Sequence, residues 1–337
     1  MLFKTKKNNA IFWVLSFAFF FTIFTAFAFF DFKISKSVLD SNVKNDGFAS
    51  FIMYFFNIYG HSIICFPVYF SFAILTLLLF KRAKGALNKV FYIIIQVVYV
   101  VVFIIALCFF SFYKTIEDWN DNANRTQYIM QLTISSLIIV LAIITITLTL
   151  LFSHTNKIVK TKPDIEKIAF QALLCLIYIS ISMAVVYFLK IAVARPRPRE
   201  IFATKDPLNE FKYPFEISTK NRSGQSFPSG HALSSTSMFG FLFFFDKETK
   251  KKNIKYILMI IFSLLTFLTD ISRVLILAHF ITDVLMANFL ACCSYYLVKD
   301  CLAKYLYKKD QKIKNKDDSE IKPRKSKIKK VEEKQNG

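Results

Sequence analysis

Three short stretches of this chain hold the residue types that could do chemistry. The first runs from Lys190 through Arg195-Pro196-Arg197-Pro198-Arg199, four cations within ten residues; the second is Phe227-Pro228-Ser229-Gly230-His231; the third runs from Ser272-Arg273 through Val274 to Ala278, then His279 and Asp283. Lys190, Arg197 and Arg273 supply positive charge, and a guanidinium offers paired planar donors suited to phosphate oxygens. Pro228 to His231 reads as the opening of a helix, where unpaired N–H groups and the positive dipole end favour an anion, and Gly230 lets the main chain approach closely. His279 and Asp283 are four apart, which on one helix puts both on one face. The carboxylate could then hold one imidazole nitrogen as N–H and leave the other as a lone pair. That makes His279 a candidate nucleophile and Asp283 its orienting group. His231, on a different helix, is the candidate proton donor to a leaving oxygen. Singly, each stretch has a plainer explanation: an interfacial anchor, a helix start, a buried structural pair. Joined on one side of a membrane, they make an anion site.

The elements that must position these residues are read from composition. Of 337 residues, 55% are hydrophobic and 17% aromatic, with 40 Phe against 7 Gly and 8 Pro, so a water-soluble domain, a disordered chain and a collagen are all excluded. Apolar stretches of about 20 residues, enough to cross a core of about 30 Å as helix, number eight. They run from Ile11 to Phe30, Ser62 to Phe80, Val90 to Tyr113, Tyr128 to Phe152, Ile168 to Leu189, Ala232 to Phe245, Tyr256 to Thr269 and Val274 to Val298. The first is too long for a secretory signal and lacks a cleavage pattern, so it reads as an uncleaved anchor. Phe48 to Tyr59 reads as an interfacial helix or an extension of the second span. The fold class is therefore all-α, a polytopic membrane bundle.

A net charge of +21 would suggest nucleic acid in a soluble protein, but here position decides. With the N-terminus inside, the inner segments hold 30 of the 44 Lys and Arg, as the retention of basic residues on the cytoplasmic side requires. Both termini are then cytoplasmic and all three polar stretches lie at the outer face. Residues 299–337 mix Lys with Asp and Glu and read as a solvated tail. No nucleic-acid partner is called for. The six Cys lie in spans or at inner ends, with neither disulfide nor metal spacing. His61 and His154 are placed in or near loops, solvated, and Asp270 at a helix end.

These residues resemble the signature of the type 2 phosphatidic acid phosphatase (PAP2) superfamily: Lys, six residues, Arg-Pro; Pro-Ser-Gly-His; Ser-Arg, five residues, His, three residues, Asp. Lys190 to Arg197-Pro198, Pro228 to His231, and Ser272-Arg273 to His279 and Asp283 fit in order and spacing. The resemblance implies that His279 attacks phosphorus to form a phosphohistidine, that Asp283 orients it and that His231 protonates the leaving group. It implies that Lys190, Arg197, Ser229, Gly230 and Arg273 hold the phosphoryl oxygens, and that no metal or other cofactor is required.

It covers the last six spans, from about 90 to 298, leaving residues 1–89 as extra helices and 299–337 as tail. Two departures stand out: Val274 to Ala278 lacks a Gly often found there, and Arg195 and Arg199 add charge suited to a second phosphate. The extra basic residues and Ala278-His279-Phe280 look similar to bacterial lipid A phosphatases. What is expected is an inner-membrane lipid phosphate phosphatase working at the periplasmic face, on lipid A ahead of undecaprenyl pyrophosphate or phosphatidylglycerophosphate. The alternatives are a lipid-to-lipid phosphotransferase and a non-catalytic binder or transporter of phosphorylated lipid. The aromatic loop from Arg199 to Phe227 reads as a lid, a headgroup clamp or a plain connector.

Overall fold

The computed structural model describes residues 6–41, 47–82, 84–113, 125–154, 162–216, 224–245 and 252–302. Among the described residues every element is helical, which pairs most backbone N–H and C=O groups within their own segment, as a lipid environment demands. We label the longer helices α1 (Lys6–Asp40), α2 (Gly47–Ser62), α3 (Cys65–Arg82), α4 (Ala86–Cys108), α5 (Arg125–His154), α6 (Lys162–Val193), α7 (Gly230–Thr236), α8 (Lys252–Leu275) and α9 (Ile281–Tyr296). Most of the expected tail, with part of the outer loop (217–223), lies outside the described residues.

Among the described residues, six stretches are long and apolar enough to cross a membrane: Trp13–Asp40, Gly47–Phe80, Ala86–Ser111, Glu166–Ile201, Asn253–Leu275 and Ile281–Asp300. They take in six of the eight expected spans. Of the other two, α5 shows a shorter apolar stretch, Leu132–Thr147. The segment expected from Ala232 is the seven residues of α7 followed by a 3₁₀ helix, Ser237–Phe244. At about 1.5 and 2.0 Å rise per residue, that pair reaches about 26 Å.

One expected alternative is met and one boundary moves. The stretch from Phe48 to Tyr59 extends the second span, as one of its two readings had it: α2 runs into α3 through a two-residue turn, and the break falls where Pro67 can offer no N–H to the carbonyl four residues before it. The segment expected from Val274 to Val298 is not one helix. α8 stops at Leu275, and Ala278 and His279 both donate their N–H groups to the Arg273 carbonyl (3.1 and 3.2 Å). Leu277 takes a left-handed φ of 58°, the conformation in which Gly most often ends a helix. A new helix begins at Ile281.

α2 packs on α5, α7 and α8, and α3 on α4 and α6. Their contacts form a core of Phe56, Tyr59, Phe66, Tyr69, Phe103 and Leu107. α1 lies along α9, where Phe20 stacks on Phe289 (centroids 3.8 Å apart) and Trp13 meets Tyr296 edge-on at 4.8 Å. At its other end α1 meets the outer loop, with Phe32 against Phe202 and Phe211 and Phe29 against Tyr213. The loop aromatics therefore dock on α1.

Candidate active site

The three polar stretches are joined by main-chain hydrogen bonds. Ser226 donates to the Arg195 carbonyl (2.9 Å), Arg199 to that of Leu277 (2.9 Å) and Ser229 to that of Asp283 (3.0 Å). Past the end of α6, Ala194 adopts φ 47° and turns the chain so that residues 224–226 run beside 194–195. Only glycine fits at 224, because a Cβ there would fall 2.3 Å from the Ala194 carbonyl oxygen.

Ser226 thereby reaches His279. Its carbonyl lies 2.7 Å from His279 Nδ1. A carbonyl can only accept, so Nδ1 carries the proton and Nε2 the lone pair. His279 is not on a helix with Asp283, as the spacing suggested; it stands in the loop before α9, and Asp283 Oδ2 is 3.7 Å from Nδ1. Asp283 instead accepts from the Phe280 N–H at 2.8 Å, from the Ser226 hydroxyl and from Arg195 Nη1 at 2.8 Å. The carboxylate fixes the loop that carries His279, and a main-chain oxygen fixes its tautomer.

His231, in the first turn of α7, is buried, and its ring centroid is 6.4 Å from that of His279. Its Nε2 makes no hydrogen bond within the described structure. His61 is not a solvated loop residue. α2 carries it to within 3.9 Å of the His231 ring, centroid to centroid, in an edge-on contact. Gly60 makes room for this, since a Cβ there would come 2.9 Å from His231 Cδ2. The surroundings of the His154 side chain lie outside the described ones. Burial lowers the His279 imidazole, opposed in part by Asp283, so in the free protein that ring is neutral at neutral pH.

Lys190, in the last turn of α6, donates from Nζ to the carbonyl of Gln225, the residue before Ser226 (2.7 Å). Arg273, 1% exposed, donates from Nη1 to Asn57 Oδ1 of α2. Arg197 opens the one-turn helix Pro198–Ile201, its N–H bound to Glu200 (2.9 Å). Ser229 caps α7, accepting from the Ala232 N–H, and a Cβ at Gly230 would meet no atom within 4 Å. The eight predicted positions thus gather at one end of the bundle. Arg195 does not join them as a phosphate cation. It is fully buried and held between Asp31 and Asp283 (3.0 and 2.8 Å), so its charge is already spent on carboxylates.

Sequence reasoning missed Asp31, Asn57, Gly60, His61, Gly224, Ser226 and Thr282. Asp31 alone carried a readable signal, a carboxylate inside the Phe-rich run Phe29-Phe30-Asp31-Phe32.

In comparison with known families, the PAP2 superfamily model matches residues 171–306, which hold all three polar stretches. No curated protein and no solved structure matches the chain.

Proposed function

From the PAP2 superfamily match over residues 171–306, we propose that this chain hydrolyses phosphorylated membrane lipids at the periplasmic face through a phosphohistidine on His279. The observation that carries the reading is the tautomer of His279. With Nδ1–H tied to the Ser226 carbonyl, Nε2 has a lone pair, and a second imidazole stands 6.4 Å away, ring centroid to ring centroid, a separation that one phosphoryl group can bridge.

Lys190, Arg197 and Arg273, with Ser229 and the main chain at Gly230, hold the phosphoryl oxygens and balance the charge that spreads over them in the transition state. These cations do the electrostatic task, so the chemistry calls for no metal. The arriving phosphate brings negative charge between the two rings, which restores a proton to His231. Nε2 of His279 attacks phosphorus, the bond to the lipid oxygen breaks, and His231 gives its proton to that oxygen. A water then attacks the phosphohistidine while His231 takes its proton, inorganic phosphate leaves and His279 is regenerated.

Lipid A is the first substrate to test, supported by the likeness of Ala278-His279-Phe280. Arg195 no longer supports it, being engaged by carboxylates.

The experiment uses the full chain in detergent with radiolabelled dioctanoyl phosphatidic acid, lipid A and undecaprenyl pyrophosphate, quenched within the first turnover. The wild type should release inorganic phosphate and trap an acid-labile phosphoprotein. His279→Ala should form none and lose at least about 10³-fold in turnover. Undiminished turnover in His279→Ala would sink the reading, and label recovered on a second lipid would make the protein a phosphotransferase.

A further inference from the structure

We propose that Asp31, on α1 and outside the matched segment, is a positioning residue for phosphoryl transfer, acting through Arg195 on Asp283; this rests on the phosphatase reading. Asp31, Arg195, Thr282 and Asp283 are all fully buried. Asp31 Oδ2 pairs with Arg195 Nη2 at 3.0 Å, and Arg195 Nη1 pairs with Asp283 Oδ1 at 2.8 Å. Thr282 ties the two ends: its N–H donates to Asp31 Oδ1 (3.2 Å), its hydroxyl donates to Asp31 Oδ2, and it accepts from Arg195 Nη1 (3.0 Å). Arg195 Nε donates to the Lys212 carbonyl (2.7 Å), and the guanidinium lies 3.9 Å from the centroid of Phe280, the residue after His279.

Two carboxylates thus share one guanidinium, and the consequence falls on Asp283. Paired with Asp283 alone, Arg195 would turn its whole charge on the carboxylate that faces the nucleophile, and the imidazolium of a phosphohistidine would lose its counter-charge. Asp31 draws the guanidinium the other way, so Asp283 keeps negative potential towards His279. It also fixes the plane of the guanidinium from the opposite edge, and with it the Asp283 carboxylate that receives the Phe280 N–H. α1 is held where Asp31 can do this by its aromatic contacts with α9 and with the outer loop. The first helix is therefore part of the site.

The test is a double-mutant cycle in the full chain, using Asp31→Asn, Arg195→Gln and both together, with dioctanoyl phosphatidic acid as substrate. Asp31→Asn keeps the shape and should lower kcat about tenfold while KM stays within about twofold. In the Arg195→Gln background the same change should cost nothing or restore activity, because it removes a carboxylate left without its cation. An unchanged kcat in Asp31→Asn, or equal losses in the two backgrounds, overturns the proposal. The double variant has the net charge of the wild type, and where Arg195→Gln accumulates poorly the kcat of Asp31→Asn alone still decides, an unchanged value overturning the proposal. A second readout needs no turnover. In protein labelled with ¹⁵N-histidine, the His279 Nδ1–H resonance, assigned by its loss in His279→Gln, should shift in Asp31→Asn but not when Asp31→Asn is added to Arg195→Gln. No shift overturns the role of Asp31, whereas a shift in a protein that hydrolyses no lipid overturns the phosphatase reading alone.

Discussion

Gly60→Ala tests whether His231 is the proton donor, because it moves that ring without touching its chemistry. The added Cβ would stand 2.9 Å from His231 Cδ2, 3.1 Å from His231 Cβ and 3.2 Å from Thr269 Cγ2. Carbon atoms in contact prefer about 3.5–4.0 Å, so the ring must give way by about 0.6 Å. A misplacement of about 1 Å can cost about 10²-fold in rate, which sets the expected loss between about tenfold and 10²-fold. The fold should survive, since Gly to Ala inside a helix gains about 0.5–1 kcal/mol, enough to offset part of the contact strain. The assay compares two substrates. A lipid alkoxide is a poor leaving group and needs the proton of His231, whereas p-nitrophenolate leaves without one. Gly60→Ala should therefore slow hydrolysis of dioctanoyl phosphatidic acid by at least about tenfold while changing that of p-nitrophenyl phosphate by less than about threefold. Equal losses on both substrates would mean that the shifted ring disturbs phosphate binding instead, and the assignment of His231 would fail.

Three further outcomes follow from the same geometry. Asn57→Asp places a carboxylate on Arg273 Nη1; if Arg273 binds phosphate as proposed, this should raise KM about tenfold or more with a smaller effect on kcat. Ser226→Ala removes the hydroxyl that donates to Asp283 but keeps the carbonyl that holds His279; it should cost about 1.5–3 kcal/mol in thermal unfolding and leave more activity than Asp283→Ala. Because burial lowers the His279 imidazole, the neutral nucleophile persists below the usual histidine range. The kcat/KM for a phosphate lipid should therefore hold as pH falls below about 6.5; a tenfold drop per unit starting there would contradict it.

The parts of the site that could be read in the sequence are those whose chemistry demands a fixed residue type at a fixed spacing. Lys190, Arg197, Ser229, Gly230, His231, Arg273, His279 and Asp283 stand in three short stretches, and any membrane helix that interrupts itself with such groups needs a reason. Their supports did not read out because each is one ordinary polar or small residue on an element judged by its apolar content. Asn57, Gly60 and His61 sit on α2, whose function depends on packing against α7 and α8, a long-range fact with no local pattern. Ser226 acts largely through its carbonyl, which every residue has. Asp31 was lost to a boundary: ending the first span at Phe30 put it in water, while α1 continues to Asp40.

The same boundary problem explains the misreading of His279. A spacing of four implies a shared helix face only if the helix has begun, and here Leu277 adopts a left-handed turn that ends α8 and delays α9 until Ile281. The interruption leaves His279 free to meet Ser226 from the other side of the site. A continuous helix would have used the His279 N–H in its own ladder; the break gives that N–H to the Arg273 carbonyl, so the candidate nucleophile is anchored to the residue that carries a candidate phosphate cation. Helix α8 thus fixes His279 relative to Arg273 through its last turn, while Asp31 of helix α1 pairs with the same Arg195 that bonds Asp283.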